Sequence, residues 1–409
     1  MTMFNLFFLY SKTIFWTMTL LVVMNENRLF QTCAFIPLTT STISSPMAFH
    51  RSTTTATNRN DQLVSTISSL SSSLSKTEAS SSSSESINTN DNDDYDLSLF
   101  SPCKINLFLR ILRKREDGYH DLASLFQAVG FGDMLHLSLL STSKEKDSNE
   151  EQNEGEQEDI FQCNMEGVPT DKSNLVLRAL DLVRSKTNTD HIKFRVNLIK
   201  QVPAQAGLGG GSGNAAAAMW GANELLGRPA TLEQLVEWSG DLGSDITFFL
   251  SEGTAYCTGR GEIMSPIHPP LKDGTKLTIV KPNIGLSTPE VFRALDYDAL
   301  SQEDPESLLQ RFLDDVDEPN NVKSDAYVND LEQPAFDCLP QLKLLREDLA
   351  KVEGFTNVRM SGSGTSIFCM GEPTDLDSFQ KEFGSRDDLS IFPTEFISRQ
   401  EGVWFQAPN

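Results

Sequence analysis

The segment Val202–Gly227, VPAQAGLGGGSGNAAAAMWGANELLG, constrains this chain more than any other. Five glycines and a serine fall within Gly207–Gly213. Ahead of them, Ile192, Phe194, Val196 and Leu198 alternate with Lys193, Arg195 and Asn197, which predicts a strand. The alanine-rich run behind them predicts a helix from about Asn214 to Leu226, stopped by Gly227. A strand, a glycine loop and a helix N-terminus make an anion site. Glycines admit close backbone approach, free N–H groups face the ligand, and the helix dipole favours negative charge. Phosphate is the expected anion. A flexible linker is the alternative, but linkers are not followed at once by strong helix formers.

The familiar phosphate loops do not match. A P-loop needs Lys-Ser or Lys-Thr after its last glycine, and Gly213-Asn214 stands there. The dinucleotide fingerprint needs a third glycine where Ser212 lies. Pro203 sets the turn into the loop.

Composition narrows the partners. The 409 residues leave room for about two or three domains. A formal net charge of −23, with no basic patch carrying interleaved aromatics, argues against nucleic acid. The six cysteines form no Cys-x-x-Cys pair and the five histidines are dispersed, so neither a zinc site nor a disulfide framework is expected.

The first 96 residues read as a leader and spacer. One acid, Glu26, lies between Met1 and Asn60. Lys12 precedes an apolar run, Ile14–Met24, of signal-peptide length. Cys33-Ala34-Phe35-Ile36-Pro37 and an acid-poor Ser/Thr-rich stretch follow. The Ala-Phe-x-Pro junction resembles the bipartite leader of proteins sent to complex plastids. A membrane anchor over Phe4–Met24 is the alternative. Ser65–Ser86 and Asp91–Asp96 read as disordered spacer.

Folded sequence is expected from Leu97. Ser101–Arg110 alternates as a strand, with Ile105, Leu107 and Leu109 on one face and Lys104, Asn106 and Phe108 on the other. Leu135–Leu140 predicts a further strand. Asp171–Asn174 predicts a cap for a helix over about Leu175–Arg184. Two acidic stretches, Lys144–Asp159 and Glu303–Asp325, read as insertions, the second around a short helix.

Six motifs occur in order: Lys104-Ile-Asn-Leu107, Asp117-Gly-Tyr-His120, the glycine loop, Leu242-Gly-Ser-Asp245, Gly259-Arg-Gly-Glu262 and Met360-Ser-Gly-Ser-Gly364. The series resembles the GHMP kinases, in their 4-diphosphocytidyl-2-C-methyl-D-erythritol kinase branch, over roughly Leu97 to Met370. Trp238, Ala255–Thr258 and Asp330–Ala335 are similar to the plant-type members. The resemblance implies an α+β, two-lobed GHMP kinase fold with the active site between the lobes. Residues 97–259 would form an ATP-binding lobe and 260–409 a substrate lobe. It implies ATP-dependent phosphorylation of the 2-hydroxyl of 4-diphosphocytidyl-2-C-methyl-D-erythritol, in the non-mevalonate isoprenoid pathway of a plastid. ATP would bring Mg2+, with no dedicated protein metal site and no stable membrane association of the mature enzyme.

Roles follow residue by residue. Asp245 would be the catalytic base, a helix N-cap being its alternative reading. Lys104 would polarise the acceptor hydroxyl or steady Asp245; an edge-strand lysine is the alternative. Asn106, Tyr119, His120, Thr288 and Phe292 would bind substrate, with Tyr119 and His120 at the cytidine end. Asn174, Pro203, Gly207, Leu208, Gly209, Gly210, Gly211, Ser212 and Gly213 would bind ATP. Two departures from the family pattern stand out. Thr247 replaces a frequent proline, and Gly213 replaces a second serine. Three rival functions are another acceptor (homoserine, mevalonate or a sugar), an oxidoreductase, and a noncatalytic relative.

Overall fold

In this computed structural model the described residues are 95–140, 158–314 and 324–408, together with the backbone of 22–25 and 28–31. The last two segments pair as a short antiparallel hairpin, β1 (Val22–Asn25) with β2 (Arg28–Gln31). The remainder of the leader, and residues 141–157 and 315–323 of the two acidic insertions, lie outside the described residues.

The main body is organised on one long ribbon. β3 (Leu97–Lys114) runs antiparallel to β4 (His120–Leu139) around the charged turn at Arg115–Gly118. The apolar run at Phe126–Val129 and the strand expected at Leu135 are one continuous β4. Leu99 through Ile111 are all buried, so both faces of β3 are covered and the expected alternation sorts the two faces without leaving either wet. Register shifts at Pro102/Cys103, Asn106/Phe108 and Ile111/Arg113 add local twist. The ribbon therefore turns successive residues towards different cores. Leu99 and Phe100 pack into the first cluster, Ile105 and Leu107 into the second, Leu109 and Ile111 into the third.

The other edge of β4 is shared. Its second half pairs with β6 (Phe194–Ile199), whose outer neighbour is the parallel β5 (Ile160–Cys163). Its first half pairs with β7 (Thr254–Gly259), followed by β8 (Ile263–Pro266). Helices α1 (Leu175–Thr187), α2 (Gly210–Leu225), α3 (Leu232–Ser239) and α4 (Ile246–Phe249) accompany this sheet, and all four supply the first cluster. Asn174 caps α1 by accepting from the Val176 N–H at 2.8 Å. α2 begins at Gly210, earlier than the composition suggests, because Gly209 takes the left-handed conformation (φ 70°) that opens the helix. Its alanines Ala215–Ala218 are fully buried. Small side chains let it lie close to the ribbon: a Cβ on Gly221 would stand 2.4 Å from Leu137.

A second, antiparallel sheet has the order β10-β11-β9-β12: β9 (Lys276–Pro282), β10 (Phe355–Met360), β11 (Ile367–Gly371) and β12 (Leu389–Glu395). With it go α5 (Thr288–Arg293), α6 (Pro305–Asp314), α7 (Glu332–Cys338) and α8 (Pro340–Leu349). α6 is the short helix expected in the second acidic stretch, held by buried Leu308, Leu309 and Phe312. The ribbon also binds this half directly. Leu109 N–H donates to Val328 C=O at 2.6 Å, and Asp330 N–H donates to Leu109 C=O at 3.0 Å.

Ordered packing begins before Leu97. Tyr95 lies against His136 and under Arg195, and Asp96 accepts from Leu139 N–H at 3.1 Å. Asp159, read with the first insertion, is held by Arg184 and accepts from Phe194 N–H at 2.9 Å.

Candidate active site

A cavity of about 1130 Å³ opens where β3, the glycine loop, the α4 entry, α5 and the Gly362–Gly364 turn meet. Lys104, on β3, is 4% exposed and sits at its base. Its Nζ donates to Asn106 Oδ1 at 2.8 Å, lies 3.7 Å from Asp245 Oδ2, and stands 4.8 Å from the Phe126 ring centroid. Asn106 in turn donates to Ser124 Oγ at 2.8 Å, and Ser124 donates to Phe108 C=O at 2.6 Å. The lysine is thus aimed by a chain of fixed hydrogen bonds. Burial pushes its pKa below the usual lysine range, while Asp245 opposes that shift.

Asp245 precedes α4, where a capping aspartate would sit, yet its side chain makes no cap hydrogen bond. Its side chain is 37% exposed and faces the cavity beside Lys104. The carboxylate therefore does not cap α4 and is directed to the cavity. Thr247, at the position where the family often has proline, shares a 2.9 Å hydrogen bond with Ser239 Oγ, so α4 is anchored to the end of α3.

The glycine loop is stacked between two supports. Lys104 N–H donates to Leu208 C=O at 3.0 Å on one side. On the other, Ser361 Oγ donates to Gly207 C=O at 3.0 Å and Ser366 N–H donates to Ala206 C=O at 3.1 Å. A Cβ on Gly207 would stand 2.2 Å from Ser361 C=O, and one on Gly209 would stand 2.9 Å from Phe249. The loop accordingly delivers the N-terminus of α2, a helix of 16 residues, to the cavity with its first N–H groups available for anionic oxygen. Pro203, Gly207, Leu208, Gly209, Gly210, Gly211 and Ser212 all line the cavity.

Two expected ATP residues have other work here. Asn174 spends its side chain capping α1 and donating to Pro169 C=O at 2.5 Å. Gly213 faces the ribbon, where a Cβ would meet Pro102 C=O at 2.8 Å. Neither lines the cavity. The missing second serine would have had no room in that direction.

The opposite end of the cavity is aromatic. His120 Nε2 lies 2.6 Å from Tyr297 Oη, and its ring centroid is 4.8 Å from that of Phe292. Tyr119 is 58% exposed with the Arg260 guanidinium 5.2 Å from its ring centroid. Burial and Lys114 hold the His120 pKa below its ordinary value. Thr288 shares a 2.8 Å hydrogen bond with Ser363 Oγ, linking α5 to the second loop.

Several contributors escaped the sequence reading. Lys200 lines the cavity and pairs with buried Asp133, whose other oxygen accepts from Gln201 N–H (2.7 Å) and Val202 N–H (2.8 Å). Asp133 thereby fixes the entry to the glycine loop. Asn329 donates to Met360 C=O at 2.8 Å and Gly362 C=O at 2.9 Å, holding the turn under Lys104. Arg260 belongs to the Gly259–Glu262 motif, in which no role had been assigned to it. Lys200, just ahead of Pro203, and Arg260, within Gly259–Glu262, each had a local signal; Asp133 and Asn329 are brought in from distant sequence.

Comparison with known proteins agrees with this geometry. Residues 174–253 match the family description GHMP kinases N terminal domain. A chloroplastic 4-diphosphocytidyl-2-C-methyl-D-erythritol kinase from Oryza sativa subsp. japonica is 46% identical over 314 residues, covering 76% of this chain and 73% of that protein. A protein of the same name from Arabidopsis thaliana, also chloroplastic, is 44% identical over 316 residues, covering 76% and 77%. A crystal structure of 4-(cytidine 5'-diphospho)-2C-methyl-D-erythritol kinase superposes with a TM-score of 0.59 at 25% identity, covering 74% of this chain and all of that one. A homoserine kinase from Cytophaga hutchinsonii, 15% identical, shares the fold with a TM-score of 0.56 over 74% of this chain and 95% of its own.

Proposed function

The chain belongs to the GHMP kinases, in the family of 4-diphosphocytidyl-2-C-methyl-D-erythritol kinases, and on that premise we propose how its own residues perform the reaction. It is an ATP-dependent kinase of isoprenoid biosynthesis acting in the plastid. The acceptor is the 2-hydroxyl of 4-diphosphocytidyl-2-C-methyl-D-erythritol. The observation that carries the residue assignment is the Lys104–Asp245 pair, 3.7 Å apart beside the glycine loop.

Asp245 takes the proton of the 2-hydroxyl as that oxygen forms a bond to the γ-phosphorus. The bond from the γ-phosphorus to the β,γ-bridging oxygen breaks, and ADP leaves with that electron pair. Lys104, held by Asn106, stabilises the negative charge that develops on the attacking oxygen and the transferring group. Backbone N–H groups from Gly209 to Ser212 hold the phosphates. Tyr119, His120 and Phe292 receive the cytosine end, and Thr288 the erythritol portion. The Ser212 hydroxyl and the Asp245 carboxylate are hard oxygen donors at the cavity wall, which suits a Mg2+ ion held mainly by ATP. When bound, that ion neutralises phosphate charge. Delivery to a complex plastid by a signal peptide followed by a transit peptide is part of the proposal and rests on the leader sequence.

ATP consumption measured with four acceptors tests the reading. The cytidyl diphosphate alcohol is expected to be turned over, and homoserine, mevalonate and a free sugar are not. Preferential turnover of any of those three would overturn it.

A further inference from the structure

Tyr297 belongs to no motif and reaches His120 from 177 residues away. It lines the cavity and is 43% exposed. Its phenol oxygen lies 2.6 Å from His120 Nε2, with the two rings within 16° of parallel and centroids 6.1 Å apart. Phe292 flanks the same imidazole at 4.8 Å. Among the described residues, Nδ1 of that ring has no hydrogen-bond partner.

The direction of the Tyr297 hydrogen bond follows from chemistry. A neutral imidazole carries one N–H and one bare nitrogen. His120 is shifted towards the neutral form by burial and by Lys114. A phenol O–H is a strong donor, and a bare imidazole nitrogen is a better acceptor than a phenol oxygen. The hydrogen bond therefore runs from Tyr297 O–H to Nε2, which leaves the proton on Nδ1. The common tautomer of a free histidine places it on Nε2 instead.

We propose that Tyr297 is a positioning residue that locks His120 as its Nδ1–H tautomer, so that the aromatic end of the cavity offers an N–H donor to the base. Cytosine presents a bare N3 acceptor to such a donor. Uracil carries a hydrogen at that nitrogen, so the pocket would oppose two hydrogens. Tyr297 thus sets preference for a cytidine over a uridine diphosphate alcohol through the histidine. The inference rests on the reading that the base docks at His120.

The test uses the full chain labelled with 15N-histidine, with His120→Gln as the spectrum that assigns the His120 signals. His120 is expected to show a bare Nε2 and a protonated Nδ1, and Tyr297→Phe to shift it towards the Nε2–H form. With saturating ATP, Tyr297→Phe is expected to raise KM for the cytidyl acceptor about five- to tenfold, the effect of one mispositioned hydrogen bond. Its kcat and KM for ATP stay unchanged, and the cytidine-to-uridine preference falls. Phenylalanine keeps the ring, so lost packing would not appear in this variant; Tyr297→Leu measures packing separately. A protonated Nε2 in the unsubstituted protein overturns the proposal. So does a Tyr297→Phe protein with unaltered tautomer and unaltered base preference. If the cytidyl alcohol is not a substrate at all, the functional reading fails and the base preference with it. The tautomer is still decided by the spectrum, which needs no substrate.

Discussion

Lys104 illustrates how one residue meets conflicting demands. In the proposed mechanism it is buried in a low-dielectric site and charged to stabilise a transferring phosphoryl group. Asp245 and the Asn106–Ser124 chain are what keep it charged and aimed. Replacing Asp245 by Asn is expected to lower kcat by about 10²–10⁴-fold while ATP affinity stays roughly unchanged; near-normal kcat in a folded variant would remove Asp245 from the mechanism. The lowered Lys104 pKa also makes a pH prediction with two signs. The protonated form serves transfer, so kcat falls with rising pH earlier than an ordinary lysine would cause. Between the depressed folded pKa and the higher unfolded one, the unfolded chain binds more protons, so the Lys104 contribution to stability rises with pH. Paired pH series of kcat and denaturant midpoint, with Lys104→Met as reference, check this. A Lys104-dependent midpoint that falls as pH rises would contradict it. Lys104 and Asp245 could be singled out from the sequence because each stands in a short motif that carries the family resemblance. Tyr297 and Asn329 were not, since each matters only through a partner folded onto it from elsewhere.

Among the elements, the glycine loop shows where local reasoning succeeds and where it slips. Strand, loop and helix were legible from alternation and composition. The helix start was not, because Gly210–Gly213 look like helix breakers until Gly209 supplies the left-handed turn that begins α2. The steric limits now separate fold from function. Gly209→Val combines a φ of 70° with a Cβ 2.9 Å from Phe249, and is expected to lower both Tm and ATP affinity. At Gly210 the obstacle is Val202, 2.8 Å from a built Cβ. Gly211 is different, since its nearest neighbour would be Leu175 at 3.8 Å. Gly211→Ala should leave Tm unchanged and raise KM for ATP, because only the phosphate approach is obstructed; unchanged KM would mean the phosphates lie elsewhere. The second loop depends on Asn329 in a comparable way. Asn329→Ala strands the Met360 and Gly362 carbonyls and is expected to cost about 1–3 kcal/mol with a fall in kcat. Asn329→Asp should be worse, as a carboxylate would face two carbonyl oxygens. Denaturation and turnover of both variants give the order, and an aspartate variant as stable as the wild type would break the argument.

For the whole molecule, the two sheets and their helices were foreseeable only through the family resemblance. Composition and periodicity alone supported mixed strands and helices. What neither supplied was the length of β3 and β4, because apolar alternation says where a strand lies and not that it continues past a bulge into another core. The C-terminal segment is a further addition: Arg399 stands 4.9 Å from Trp220, 5.7 Å from Trp404 and 5.6 Å from Phe405, and Trp404 donates to Phe100 C=O at 2.7 Å. At the other end, a chain beginning just before Tyr95 is expected to keep full activity. One beginning at Leu97 should lose some thermal stability with the Tyr95 and Asp96 contacts. Equal Tm for the two truncations would make those contacts idle, and an inactive Tyr95 truncation would give the leader a part in the enzyme. The ribbon has a consequence for recombination. A crossover near Gly259 would set a foreign second sheet against this chain's Ile105 and Leu107, and a foreign Val328–Asp330 against its Leu109. Drift in either half is therefore tethered to the other. Exchanging the C-terminal half alone is therefore expected not to graft acceptor preference, because the strand that carries Lys104 is also part of that half's interior.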